Sequence, residues 1–327
     1  MVARECPQRA MTWIIFLLAP GALSLSLTKA QVATYRRDGV VLVKGALTPR
    51  EVQAARSSLD LTLDKNPQVF PAYRLVDFQG WRGSRALRHI AMDSAVPGLA
   101  AQALGLGQSG SLRVMKDATL VLNPGDSGCG WHVDDKIFWP VADVPIGSPL
   151  EGCNVWIALT PVRRSTGGGL AVAPGSFKAA WREETRSVIA GEAGGGVGPP
   201  RTCELARLDP EANARLEQLK TLHDMEPGDA LIHARYCYHR GETFSVEHAP
   251  TRLAYSVRYE HADARVFDNN LEQAIARGKL RGGEPLSKAG AFYPQVWPRP
   301  KPLERLAVLF GRVKTDRRLM DVPESER

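Results

Sequence analysis

The stretch EPGDALIHARYCYHRGETFSVEHAPTRLAYSVRYE, residues 226–260, decides how the rest of the chain is read. It opens on a turn signal, Pro227-Gly228-Asp229, and runs into an apolar segment that ends among histidines. A second run rich in β-branched and aromatic residues closes it. Such residues suit a pleated, half-buried surface, and Gly, Pro and Asp clusters interrupt it. Upstream, SLRVMKDATLVLN (111–123), CNVWIALTPV (153–162) and GLAVAPGS (169–176) have the same character. Asn123-Pro124-Gly125, residues 166–169 and Pro174-Gly175 separate them. Many short strands between Gly/Pro turns predict a mainly β sandwich or barrel, a jelly roll among the options, with helices packed outside the sheets.

Those helices come early. YRRDGVVLVKGALT (35–48) reads as a helix end, a turn at Asp38-Gly39 and an apolar strand. Thr48 as N-cap, Pro49 in the first turn and Glu51 at the capping-box position start the next helix, with Val52, Ala55, Leu59 and Leu63 at helical spacing. A further helix is expected around residues 99–104. Residues 191–200, nearly all glycine, alanine and proline, read as a mobile loop, and residues 209–219 as an inserted helix. The tail AFYPQVWPRPKPLERLAVLF (291–310) is proline-rich, then briefly helical. The last dozen residues read as disordered.

With 327 residues, 44% hydrophobic, the chain can bury a substantial core. Its formal charge of +7 comes from scattered basic residues with no Lys/Arg stripe or nucleic-acid module. A solvated basic surface follows, compatible with anionic small substrates and not with a nucleic-acid partner. At the N-terminus, Arg4 and Arg9 precede MTWIIFLLAPGALSLSL (11–27), and Thr28-Lys29-Ala30 could end a cleavage site after Ala30. This has the form of a secretory signal peptide. An uncleaved anchor and an organelle transit segment are the other readings, although Pro20-Gly21 would break a spanning helix. The domain expectation is therefore a targeting segment at 1–30, one catalytic domain at 31–300 with an insertion near 185–220, and a tail at 301–327. The segment points to the secretory pathway or an organelle; without a signal there the protein would be cytoplasmic. Membrane contact is expected only if that segment is retained. Oligomeric state is not legible. Apart from Cys6, the cysteines Cys129, Cys153, Cys203 and Cys237 match no zinc spacing, and either disulfides or buried thiols would suit them.

Another stretch, GCGWHVDDKIFWP (128–140), carries the chemistry. On a strand, residues i and i+2 share a face, so His132 and Asp134 can reach one metal ion while Asp135 points away. A histidine from the 226–260 stretch would complete a 2-His-1-carboxylate triad suited to Fe(II), with positions left open for an oxidant and a co-substrate.

Taken in order, YRRDGVVLVKGALT, WHVDD, NVWIALTPV…GGGLAVAPGSF, PGDALIHARYCYHRG and PTRLAYSVRY resemble the phytanoyl-CoA dioxygenase family of Fe(II)/2-oxoglutarate-dependent oxygenases, from Tyr35 to about Glu260. The resemblance implies a double-stranded β-helix (jelly-roll, cupin-like) core with flanking helices. It implies His132, Asp134 and His239 as iron ligands, with His233 the competing third ligand. Arg252 would bind the distal carboxylate of 2-oxoglutarate, since a fixed guanidinium fork grips a carboxylate bidentately; Arg258 is the alternative. Trp156, Ser256 and Thr119 would line the co-substrate pocket, with Lys116 beside them. Trp131, Lys136 and Trp139 flank the ligands and could touch substrate, although packing explains the tryptophans equally well. His89, His223, His248 and His261 match no ligand position.

The implied activity is oxidative decarboxylation of 2-oxoglutarate with O2, giving succinate and CO2, coupled to hydroxylation of a C–H bond in a small-molecule, lipid or acyl substrate. Ascorbate is a further candidate cofactor. In related halogenases a small residue replaces the carboxylate ligand, so Asp134 favours hydroxylation, with desaturation and cyclisation sharing the same triad. The rival readings are a non-catalytic jelly-roll binding protein, a metal-dependent cupin enzyme that does not use 2-oxoglutarate, and a membrane-tethered structural protein resting on residues 11–27 alone.

Overall fold

The computed structural model describes residues 25–59, 73–107, 109–134, 141–142, 144–145, 148, 150–178, 205–245, 250–266 and 280–300. The chain begins with α1 (Lys29–Asp38), where Thr28 and Gln31 form a reciprocal capping box and Gly39 closes the helix at φ 73°. Strand β1 (Val40–Val43) follows directly. In α2 (Pro49–Ser58), Thr48 Oγ1 accepts from the Glu51 amide while the Glu51 carboxylate accepts from the Thr48 amide at 2.8 Å. Both caps satisfy amides that an isolated helix start leaves unpaired. The domain boundary expected at residue 30 thus falls inside α1. Thr28 caps that helix and Leu27 is buried in the core, so cleavage after Ala30 would remove the cap and part of the first turn.

Next come β2 (Leu75–Phe78), α3 (Gly80–Gly83), α4 (Arg85–Met92) and α5 (Val96–Ala103). The last starts at Val96, three residues before the expected helix, because Pro97 sits in its first turn. Strand β3 (Leu112–Leu122) is the longest, followed by β4 (Cys153–Ala158) and β5 (Leu170–Val172). After α6 (Leu205–Leu208), the inserted helix α7 (Pro210–Leu219) starts on Asp209, whose side chain accepts from the Ala212 amide. Strands β6 (Ala230–Ala234), β7 (His239–Gly241) and β8 (Arg252–His261) lead to a 3₁₀ turn at Leu286–Ala289 and β9 (Gln295–Trp297). The segment DALIHARYCYH, read as one strand, is two: β6 ends at Ala234, and the chain crosses to the other sheet before His239.

The large sheet runs β1-β6-β4-β8-β3-β2, with β9 added on β3, and every pairing is antiparallel. The small sheet pairs β5 with β7. Strand β8 is buried along its whole length and separates two environments. Leu253, Tyr255, Val257 and Tyr259 share one apolar cluster with Leu87, Ile90, Ala91, Val96 and Leu99 of the helices. Tyr259 also donates to the Ala91 carbonyl at 2.9 Å. Burying side chains of this size stabilises the fold by about 1.5–3 kcal/mol each. The opposite face of β8 carries Arg252, Ala254, Ser256, Arg258 and Glu260, and looks into the barrel toward the small sheet.

Two glycines let loops close on that interior. A side chain at Gly128 (φ 67°) would sit 2.8 Å from the Gly241 Cα, and one at Gly167 (φ 69°) would collide with the Thr243 carbonyl. Cys153 and Cys237 are buried free thiols, whereas Cys129 is disulfide-bonded. Among the described residues no helix is long and apolar enough to cross a membrane. The leader, the glycine-rich stretch at 191–200 and the tail at 301–327 lie outside the described residues.

Candidate metal centre

Residues 131–134 alternate. Trp131 and Val133 join an apolar cluster with Ala171, Ala173, Leu205, Leu216 and Tyr238 on the outside of the small sheet. His132 and Asp134 therefore turn inward, as the i, i+2 spacing predicts. His132 and His239 face each other as an antiparallel bridge, each backbone amide donating to the other's carbonyl at 3.0 and 2.9 Å. Their rings lie with centroids 4.3 Å apart. One ligand atom from each of His132, Asp134 and His239 falls within 4.8 Å of the others. The Asp134 Oδ1 atom is 4.0 Å from His132 Nε2 and 3.7 Å from His239 Nε2.

Each imidazole is oriented by its own strand. His132 Nδ1 donates to the Gly130 carbonyl at 2.6 Å and His239 Nδ1 to the Cys237 carbonyl at 3.0 Å, two residues back in both cases. With the proton fixed on Nδ1, Nε2 presents its lone pair to the centre, which is what a metal-ligating histidine needs. Burial, then the neighbouring His239, push the His132 pKa down to about 4, so the ring is neutral at neutral pH.

Asp134 is held by its other oxygen. Arg258 Nε donates to Oδ2 at 2.6 Å and Asn154 Nδ2 donates to the same atom at 3.2 Å. Ser256 Oγ in turn donates to Asn154 Oδ1. Burial alone would raise the Asp134 pKa, but the Arg258 guanidinium and His239 hold it well below the usual carboxylate range. Two imidazoles and one anionic carboxylate, each held by its own hydrogen bonds, form a donor set matched to a divalent transition ion.

Six residues before Arg258 on the same face, Arg252 is buried with its Cζ 4.7 Å over the Phe244 ring. Its one side-chain hydrogen bond runs from Nη2 to Thr166 Oγ1 at 3.5 Å, and Nη1 is buried with no partner. Burial, then Arg163, lower its pKa to about 10, so it stays a cation at neutral pH. An enclosed guanidinium without a counter-anion costs several kcal/mol unless a carboxylate joins it. Between Arg252 and Arg258 this face of β8 carries the small side chains of Ala254 and Ser256.

The sequence profile of the family described as Phytanoyl-CoA dioxygenase (PhyH) matches residues 35–247, a span holding all three ligands. The chain belongs to the phytanoyl-CoA dioxygenase family. No curated protein sequence matches it. Among solved structures, the non-heme alpha ketoglutarate dependent carbocyclase SnoK from nogalamycin biosynthesis is similar at TM-score 0.59 and 23% identity, over 83% of this chain and 96% of that one. The epimerase SnoN in complex with Fe3+, alpha ketoglutarate and nogalamycin RO is similar at TM-score 0.58 and 22% identity, over 82% and 98%. The fold is accordingly the double-stranded β-helix, jelly-roll and cupin-like, with an antiparallel sheet curled into a half-barrel.

Within this family member, the remaining candidates fall into place by register. Arg258, the alternative anchor, is engaged by Asp134, whereas Nη1 of Arg252 has no hydrogen-bond partner. His233 is buried with its ring 4.4 Å from that of His239, but it stands outside the ligand triad; burial, then His239, hold its pKa well below normal. Trp156 pairs with Ser256 and so faces the interior, packed with Leu231 and Ala254. Thr119 does not: it pairs with Tyr255 and shares the helix-covered face, so it cannot line the pocket. Lys116 pairs with Arg258 and is on the interior side. The two stand three residues apart in unbroken register, so strand alternation puts them on opposite faces and the pairing with β8 decides which is inside. Trp131 packs outward, away from the centre. Asp135, Lys136 and Trp139 lie outside the described residues.

Sequence reasoning missed Asn154 and Glu217. Asn154 stands two residues before Trp156 and so shares its face, a parity that the strand alternation could have exposed. The Glu217 carboxylate accepts from Trp131 Nε1 at 2.8 Å. Nothing in the local sequence of α7 connects it to a strand 86 residues away.

Proposed function

We propose that this chain is an Fe(II)- and 2-oxoglutarate-dependent dioxygenase that hydroxylates a C–H bond of a small organic substrate, releasing succinate and CO2. One observation carries the reading: a metal-competent His132/Asp134/His239 triad shares the barrel interior with a buried guanidinium, Arg252, whose Nη1 has no partner. Iron bound to the triad would supply the oxidising chemistry with O2. The protein's own part is orientation and enclosure. Gly130 and Cys237 carbonyls fix both imidazoles, Arg258 and Asn154 keep Asp134 anionic, and Arg252 binds the distal carboxylate of the keto acid. Trp156 and Phe244 supply apolar walls that exclude water from the carboxylate anchor. An intact Asp134 supports hydroxylation over halogenation. SnoN, which shares the fold, is an epimerase crystallised with nogalamycin RO, and SnoK is a carbocyclase, so the test must read products as well as co-substrate turnover.

In that test, purified protein with Fe(II), 2-oxoglutarate and O2 is assayed for succinate. Metal-dependent succinate formation that collapses in Asp134→Ala supports the proposal. Wild-type protein that binds iron but never consumes the keto acid would leave a binding protein. Turnover of some other substrate, unchanged in Arg252→Ala, would leave a cupin-type enzyme that does not use 2-oxoglutarate. Residues 1–24 serve, in this proposal, as a targeting segment removed upstream of the Thr28 cap; sequencing the mature N-terminus checks it.

A further inference from the structure

The two histidine ligands share a brace outside the barrel. Trp131 and Arg240 are the chain neighbours of His132 and His239, and both turn outward to the same carboxylate. Trp131 Nε1 donates to Glu217 Oε1 at 2.8 Å, and Arg240 Nη2 donates to Glu217 Oε2 at 3.2 Å, with Arg240 Nε in ion-pair contact with Oε1 at 2.8 Å. The Arg240 guanidinium also lies 5.4 Å from the Trp131 ring centre. Lys220 and Glu242 extend the network: Lys220 reaches Glu217 at 3.0 Å and Glu242 at 3.2 Å, and Arg240 reaches Glu242 at 2.9 Å. Glu217 belongs to α7, the helix inserted into the β framework, which packs Leu216 into the apolar cluster holding Trp131 and Val133.

Geometry makes this more than helix docking. On the inner side, the segments bearing His132 and His239 pair through Gly241 N–H to the Cys129 carbonyl at 2.9 Å and then through the mutual bonds of His132 and His239, the last backbone bonds between them among the described residues. The end of a short ladder is where the relative twist of two segments is softest, and a rotation there would swing an imidazole away from Asp134. A carboxylate gripping the next residue of both segments removes that freedom. We propose that Glu217 is a positioning residue that sets the metal-ready spacing of His132 and His239 through Trp131 and Arg240. The inference rests on the metal site proposed above.

The test uses the full chain and anaerobic calorimetry with Fe(II) alone, beside thermal unfolding without metal and the KM for 2-oxoglutarate. Partners directly on metal ligands are worth about 10–100-fold in affinity. Glu217→Ala, acting one residue further out, is expected to weaken Fe(II) binding about tenfold while the KM for 2-oxoglutarate changes less than about twofold. Glu217→Gln keeps one carbonyl oxygen, whose two lone pairs can serve Trp131 Nε1 and the Arg240 guanidinium, and should stay within about threefold of wild type. The double variant Glu217→Ala/Trp131→Phe should bind Fe(II) no worse than the weaker single, because both changes cut one connection. Glu217→Ala with undiminished iron affinity overturns the proposal. So does a fall in iron and keto-acid affinity together with the folding temperature, since that marks only a lost helix contact. If Glu217→Ala does not fold, Glu217→Gln and Trp131→Phe supply the comparison, and equal iron affinity in both overturns it. Wild-type protein that binds no iron would instead sink the site assignment itself.

Discussion

Replacing Arg258 by methionine separates the cost of a buried carboxylate from the benefit of the metal. In the wild type, Asp134 is buried and its Oδ2 accepts a charge-assisted bond from Arg258 Nε at 2.6 Å. Arg258→Met keeps much of the side-chain volume and removes the cation, leaving only Asn154 on that oxygen. Breaking a buried pair from one side costs about 3–5 kcal/mol, because the remaining charge is uncompensated. At roughly 2–4 °C per kcal/mol for a domain of this size, metal-free protein should unfold about 6–20 °C lower. A divalent ion at Oδ1 restores a counter-charge, so the deficit should shrink sharply with saturating Fe(II) or Ni(II). The pH sign can be derived too. The Asp134 pKa is depressed in the folded wild type, so its stabilisation is present above the unfolded carboxylate value and is lost as pH falls through the folded one. In the variant, burial without the guanidinium raises it, so the gap between the two proteins should narrow as the buffer is taken from pH 7 to 4. Calorimetric scans of both proteins, with and without metal at those two pH values, read all of this. An equal deficit with and without metal would refute the reasoning, as would a loss under about 2 °C.

Arg252→Ala should raise the KM for 2-oxoglutarate at least tenfold with Fe(II) affinity intact, and Arg252→Lys should recover little, since an ammonium cannot form the fork; steady-state kinetics and iron calorimetry check both. His239→Ala should abolish tight metal binding whereas His233→Leu should retain it within about threefold, as measured by metal content after gel filtration. Burial raises the Glu260 pKa to about 8 against the partial opposition of Arg235, 3.9 Å away. A raised carboxyl stabilises fully below its unfolded value near 4.5 and loses that contribution as pH climbs through 8, at about 1.4 kcal/mol per pH unit between the two. Glu260→Gln should therefore flatten the alkaline fall in stability seen in urea melts from pH 5 to 9. Thr48→Ala should cost about 1 kcal/mol in the same melts, through loss of the capping box.

Features set by neighbours along the chain were legible before any coordinates. The Thr48/Glu51 capping box, the turn at Gly39 and the inward parity of His132 and Asp134 all depend on spacings of four residues or fewer. The ordered motifs pointed to His239 and Arg252, and the fold brings His239 beside His132 and Asp134. Where the reading failed, a distant or irregular contact decided the outcome. Thr119 and Lys116 could not share a face, yet which of them points inward is set by pairing with β8 and leaves no mark in SLRVMKDATLVLN. The crossing between β6 and β7 looked like continuous strand because Tyr236, Cys237 and Tyr238 are buried whichever sheet they serve.

The mutual amide-to-carbonyl pairing of His132 with His239 bears on how the enzyme would live with a fluctuating iron supply. Because main-chain atoms and the Glu217 brace together hold that spacing, an emptied pocket keeps its outline and refills without rebuilding, so little conformational entropy is lost on capture. Reloading after chelation should therefore be rapid and reversible over many cycles.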